Sequence, residues 1–312
     1  MFIFDAHVDT LSRLHRSGEE LETKSGHISL DWLLEGHISA QVFAVFVDPA
    51  FYQGMALHQG LEMIDIFWNT IEQYPNYLGF AGSGRQIEEL RQQNKIACLL
   101  SIEGGEVLEG KLGHLRNLYR LGVRIVTLTW NYRNAIASGQ MERNDCGGLS
   151  SFGREVVGEM NRLGMMIDVS HLNERSFWDV LETTSAPVIA SHSNARALCD
   201  HRRNLTDDQI KAIADLGGVI GVNFCTGFLS KDSQASVHDV VDQIMYLVNV
   251  GGSQCVGLGS DFDGIDKTPL GLENCSQTHV LWDKLKKERL SDDVIEKVMG
   301  YNFLRVTKEV LG

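Results

Sequence analysis

Ile3-Phe4-Asp5-Ala6-His7-Val8-Asp9 is the stretch on which the reading of this chain turns. It is apolar for a strand's length and then stops on His and Asp. Four further runs do the same: Ile96 to Glu103, Met165 to His171, Pro187 to His192 and Cys255 to Asp261. A single polar ending means little, because a strand often closes on such a residue where it meets water. Five of them bring metal-binding or proton-transferring side chains to one edge of one sheet, and a (β/α)8 barrel builds its chemistry at the carboxyl edge of its strands.

Outward from these runs, strand and helix signals alternate to the end of the chain. Leu30 to Leu34 reads as a short helix and Ala40 to Val47 as the second strand. A long amphipathic helix from Met55 to Tyr74 stops at Pro75, and Ile96 to Glu103 is the third strand. The helix Leu112 to Leu121 ends at Gly122, a residue that tolerates the left-handed backbone of a helix stop. Arg124 to Trp130 is the fourth strand, and the polar, glycine-containing segment Tyr132 to Leu149 reads as a long loop on the active face. Then come helix Phe152 to Leu163, strand Met165 to Val169, helix Glu174 to Leu181 and strand Val188 to Ser191. Thr206-Asp207-Asp208-Gln209 has the capping-box pattern and opens a helix running to Leu216. Strand Gly218 to Phe224, helix Val237 to Val250 and strand Cys255 to Gly259 complete eight strands, and two or three helices follow from Thr278. The expected fold is α/β, one (β/α)8 TIM barrel domain over residues 1–312 with extra C-terminal helices.

A chain of 312 residues, 43% of them hydrophobic, has ample material for such a core. Lys+Arg 28 against Asp+Glu 41 gives a formal net charge of −13, which opposes general attraction to nucleic acid or anionic lipid. A small-molecule substrate is the expected partner, with no nucleic acid and no membrane, and a homodimer is the assembly considered. The first residues enter a strand directly, without a secretory pattern, and no apolar run approaches ~20 residues, so a cytoplasmic location is expected. Six cysteines, Cys98, Cys146, Cys199, Cys225, Cys255 and Cys275, contain no Cys-x-x-Cys pair and are expected to be free thiols. Cys98, Cys225 and Cys255 fall in predicted strands as small core residues.

His7 and Asp9 stand at i and i+2, so on an extended backbone both point to one side and can grip one dication. His171 and His192 end consecutive predicted strands, ~5 Å apart in a sheet, which suits two ligands of a second ion. Taken singly, each reads more readily as a satisfied buried histidine. Together with Glu103 they would bury mutually repelling charge unless a metal were present. Two ions ~3.5–4 Å apart need a bridging anion, and Glu103 at the end of the third strand could reach both. Asp261 reads as general base and then acid, against a turn-forming Asp in a Gly-rich corner; Asp263 competes for that role but falls further into the loop.

Ile102-Glu103-Gly104-Gly105, Asp168-Val169-Ser170-His171, Ser191-His192-Ser193-Asn194-Ala195, Arg202-Arg203-Asn204 and Gly257-Leu258-Gly259-Ser260-Asp261-Phe262-Asp263-Gly264 follow one another in order. With them the chain resembles the membrane (renal) dipeptidase family, a peptidase branch of the amidohydrolase barrels, from Asp5 to Phe303. The resemblance implies a metallo-dipeptidase with two zinc ions per chain, one held by His7, Asp9 and Glu103, the other by Glu103, His171 and His192. It further implies that Asp261 handles protons while Arg203 clamps the substrate's terminal carboxylate; Asn223 joins the substrate-binding candidates. The expected reaction is attack of a metal-bridging hydroxide on the peptide bond of small dipeptides, including those with a C-terminal D-residue. One departure stands out: where the family has His after the strand-four Leu-Thr, this chain has Leu128-Thr129-Trp130-Asn131, and an indole N–H donates one hydrogen bond but carries no charge. The alternatives are a related amidohydrolase of N-acyl amino acids, lactones or cyclic amides, and an inactive metal-bearing scaffold.

Overall fold

The computed structural model describes the chain except residues 53, 143–146 and 232–233. Nine strands run through the described residues: β1 Ile3–Val8, β2 Ile38–Phe46, β3 Leu78–Phe80, β4 Ile96–Glu103, β5 Val123–Thr127, β6 Met166–Asp168, β7 Val188–Ala190, β8 Val219–Val222 and β9 Val256–Leu258. β1 pairs with both β2 and β9, and β2 pairs with β4, so eight strands close a parallel ring in the order β1-β2-β4-β5-β6-β7-β8-β9. The expected (β/α)8 barrel is the fold observed. Strands buried on both faces read as near-continuous apolar runs, which is why the runs were visible before the topology was.

Inside the ring, Ala40, Val42, Ala97, Leu99, Ile125, Met166, Ile189 and Val219 fill the lower layers, closed by Phe303 and Val306 of the final helix. Alternation carries this face upward. On β4, Leu99 packs in the core and Glu103, four residues on, shares its face. The register from Ala40↔Ala97 to Phe46↔Glu103 is unbroken, so Glu103 reaches the upper rim beside the end of β2. Asp168 follows Met166, and Ser191 follows Ile189, by the same two-residue step.

The differences from expectation have local causes. β3 was not anticipated; its three residues pair with Ile96–Cys98, the amino half of β4, while β5 takes the carboxyl half from Leu100. Predicted strands overran the rim: Arg124 to Trp130 stops at Thr127, and Gly218 to Phe224 shrinks to Val219–Val222, because the chain leaves the sheet to deliver residues to the site. Helices at Thr10–Ser17, Gly84–Gln92 and Thr226–Leu229 add to those expected from the sequence. The capping box at Thr206 and Gln209 forms, and Gly122 takes φ 107° after its helix. The C-terminal helices are Val280–Lys287, Asp292–Glu296 and Asn302–Leu311, the last two joined by a π turn. Cys98 and Cys255 are buried, whereas Cys225 lies beyond β8, partly exposed on a cavity wall rather than in the core. Cys146 lies outside the described residues. Among those described, no helix is long and apolar enough to cross a membrane.

Candidate active site

The five expected donor side chains converge on the carboxyl rim. His7 Nε2 lies 3.4 Å from Asp9 Oδ2 and 3.3 Å from Glu103 Oε2. On the other side, Glu103 Oε1 lies 3.0 Å from His171 Nε2 and 3.7 Å from His192 Nε2. Three donor sets are compact enough to hold a metal ion, His7/Asp9/Glu103, Glu103/His171/His192 and His7/His192/Asp261, and the first two share the Glu103 carboxylate. His171 and Asp261 both take left-handed backbones, φ 68° and 63°, three residues past the ends of β6 and β9. Such strain in a non-glycine residue persists only where surrounding contacts hold it, typically at a functional site. Here the His171 carbonyl accepts from Gln140 N, and Asp261 N donates to the His7 carbonyl.

The chemistry of the donors calls for a cation. Asn131 Oδ1, an acceptor, lies 3.1 Å from His171 Nδ1, which fixes the proton on Nδ1 and leaves Nε2 a bare lone pair. Ser191 Oγ donates to Asp168 Oδ2 at 2.6 Å, so it accepts from His192 Nδ1 at 2.6 Å, and His192 Nε2 is bare as well. Burial and the nearby Arg203 hold His171 neutral, its pKa lowered to about 4; burial and the His7 charge push His192 well below the ordinary range. Two bare nitrogens face each other at 2.9 Å beside a carboxylate, an arrangement that only a shared cation satisfies. In the other set His7 Nε2 and Asp9 Oδ1 are buried without hydrogen-bond partners. Burial works against the His7 imidazolium, but Glu103 and Asp9 outweigh it and lift its pKa well above the ordinary value; a metal would replace that proton.

Around the donors lies a cavity of about 470 Å³ lined by Asp9, Glu103, Trp130, His171, Arg203 and Asp261, among others. Trp130 stands on its wall, 5.2 Å from the Phe46 ring and 6.4 Å from that of His171. Arg203 is 5% exposed, donates to the His192 carbonyl at 3.1 Å and to Ser193 Oγ at 3.5 Å, and lies over the Phe228 ring. Its Nε has no partner, and no described carboxylate pairs with the guanidinium, so a buried cation waits for an anion. Burial pushes the Asp261 carboxyl up to about 6 against the lowering pull of His7, and Asn223 Nδ2 donates to its Oδ2 at 2.9 Å. Asn223 itself is fully buried, its Oδ1 accepting from Cys225 N; it stands behind Asp261 rather than on the cavity wall where a substrate contact was expected. Asp263 is taken by Thr10, Arg13 and the His27 N–H, whereas Asp261 accepts from Asn223 through Oδ2 alone. Asn131, Asp168, Ser191 and Gln140, to which the sequence alone assigns no role, orient the histidines, and Asp5 accepts from Ser260 N and Oγ behind the rim. A signal existed for Asp5 and Asp168: each is a carboxylate inside an apolar strand run.

A closed (β/α)8 barrel with donor sets gathered under one cavity at its carboxyl rim has the build of a metal-dependent barrel enzyme. The chain belongs to the membrane dipeptidase family, peptidase family M19, whose model matches residues 1–311, and it is a metallo-dipeptidase of that family with the metal cofactor the family implies. An uncharacterised dipeptidase of Schizosaccharomyces pombe is 38% identical over 305 residues, covering 91% of this chain and 72% of the relative. Human dipeptidase 3 is 36% identical over 290 residues, covering 91% of this chain and 59% of the relative. A crystal structure of a Rhodobacter sphaeroides metallo peptidase, bound to a phosphinate mimic of the dipeptide L-Ala-D-Ala, superposes with a TM-score of 0.93 at 26% identity over 99% of each chain.

Proposed function

We propose that this protein hydrolyses small dipeptides, C-terminal D-residues included, using two zinc ions, one held by His7, Asp9 and Glu103 and the other by Glu103, His171 and His192. The observation that carries the reading is the pair of donor sets joined through Glu103, beside a buried guanidinium with no carboxylate partner among the described residues. Bound there, the two cations supply Lewis acidity to the peptide carbonyl and lower the pKa of the attacking water. Arg203 binds the substrate's terminal carboxylate and sets its distance from the metal donors, which favours substrates with one residue after the scissile bond. Water adds to the carbonyl carbon, the C–N bond breaks, and Asp261 moves the proton. With Oδ2 held by Asn223, Oδ1 takes the proton from water and returns it to the departing nitrogen. The mimic bound by the Rhodobacter protein supports including D-residues at the C-terminal position.

A panel of dipeptides with both stereoisomers at each position, with dipeptide amides and N-acyl amino acids beside them, tests the reading on zinc-reconstituted protein. Dipeptides with free ends should be cleaved and tripeptides poorly. Arg203→Met should raise KM strongly for dipeptides and far less for their amides, which lack the carboxylate. Cleavage of N-acyl amino acids, lactones or cyclic amides in preference to every dipeptide would replace this substrate class, and equal damage to both substrate types in Arg203→Met would reject the anchor.

A further inference from the structure

Gln140 stands where two cavities meet. The cavity over the metal donors and a neighbouring one of about 510 Å³ share Gln140, His171 and Arg203 in their linings. The residue is 7% exposed, and the two ends of its side-chain amide are used unequally. Nε2 donates at 2.7 Å to Asn131 Oδ1, the oxygen that also takes the His171 Nδ1 proton. Oε1 is buried and has no partner, and an unpaired buried amide oxygen costs about 1–3 kcal/mol. The amide cannot turn over to relieve it, because Oε1 would then face the Asn131 oxygen, acceptor against acceptor. The backbone fixes the same placement: Gln140 N donates to the His171 carbonyl at 2.7 Å, and the adjacent Gly139 bridges to Leu172.

We propose that Gln140 Oε1 accepts a hydrogen bond from the scissile amide N–H of the bound substrate, so that Gln140 is the residue that reads the peptide nitrogen. The inference rests on the dipeptide reading above. A dipeptide offers two nitrogen donors, its terminal ammonium and its amide N–H. Arg203 takes the terminal carboxylate, and His171 faces the cation site that engages the carbonyl. The amide nitrogen is the atom bonded between those two groups, whereas the ammonium lies beyond the carbonyl. Gln140 lines the cavity together with both His171 and Arg203, and its Oε1 is a lining amide acceptor left without a partner, which suits it to the amide N–H.

The test uses two inhibitors that differ only at the scissile position, a phosphonamidate dipeptide mimic with P–NH and a phosphinate with P–CH2, on the zinc-loaded protein and on Gln140→Met. The P–NH compound should bind the unaltered protein about 5- to 10-fold more tightly, the worth of one neutral hydrogen bond, and the ratio should fall to near one in Gln140→Met. A ratio near one in the unaltered protein overturns the proposal even if the variant fails to fold. So does a ratio that survives in Gln140→Met. As a second readout, Gln140→Met should lower kcat/KM for a dipeptide more than for the matching depsipeptide ester, which has no N–H. Equal losses for both, accompanied by lost zinc, would mean that Gln140 acts only by orienting His171. Failure of the unaltered protein to cleave any dipeptide is a different result, and overturns the substrate class itself.

Discussion

Glu103 faces a different partner with each oxygen, Oε2 toward His7 and Oε1 toward His171 and His192. Burial works to raise its pKa, but His7 and His171 outweigh burial and hold it well below the usual carboxylate range. Glu103→Gln keeps the shape and removes the charge, so elemental analysis should show zinc falling well below two equivalents; unchanged stoichiometry would reject the bridging role. Asp261→Asn should behave oppositely, keeping near-normal zinc while kcat drops on the order of 10²–10⁴-fold. In the proposed mechanism Asp261 acts as the carboxylate, and burial raises its pKa, so kcat/KM should rise with pH along an acid limb displaced upward from the ordinary carboxylate range and be lost below it. Asn223 lowers that pKa by donating to Oδ2, so Asn223→Ala should move the acid limb to higher pH. A profile that stays in place would exclude Asp261 as the titrating base. These carboxylates and histidines were legible because each ends an apolar run. Asn131 and Gln140 were not, because they sit in a polar loop and acquire meaning only from the histidine they contact across the barrel rim.

At the scale of elements, the long strands declared themselves and the short ones did not. β4, eight residues of IACLLSIE, is buried throughout, whereas β3 is three residues of which only Leu78 is buried. The helix Gly84–Gln92 was hidden for a related reason: only Gly84 and Ile87 are buried, so the apolar stripe that marks a helix hardly exists. The loop from Trp130 to Gln140 is the element that most directly serves the site, and its closure depends on a glycine. A Cβ at Gly139 would lie 2.4 Å from the Trp130 carbonyl oxygen and 2.5 Å from Asn131 C, both backbone atoms that cannot swing away. Gly139→Ala should therefore destabilise the fold by about 1–3 kcal/mol and displace Gln140 from the His171 carbonyl. Thermal unfolding together with zinc titration checks both effects. A variant that keeps normal stability and zinc affinity would show that this loop does not set the histidine's geometry.

Across the whole molecule, the donor set draws on distant parts of the barrel wall. His7 lies in β1, Glu103 ends β4, and His171 and His192 follow β6 and β7, so metal held by these donors would tie together strands far apart around the ring. Without metal, the same rim buries Asp9 and Glu103 side by side; burial and the Glu103 charge push the Asp9 carboxyl well up, with only the His7 proton to offset them. The overall charge of −13 adds to the self-repulsion of an acidic chain. Metal binding to the folded state alone stabilises by mass action, about 2.7 kcal/mol at a free concentration 100 times Kd for one site. Chelation should accordingly lower Tm, and stepwise return of zinc should raise it with metal concentration. The same titration on Glu103→Gln should give a much smaller rise, because both sites lose their common ligand. If chelated and zinc-loaded protein unfold at the same temperature while zinc is shown to leave, the rim is preorganised without its ions, and the buried nitrogen pair of His171 and His192 would have to be stabilised by another cation such as a proton.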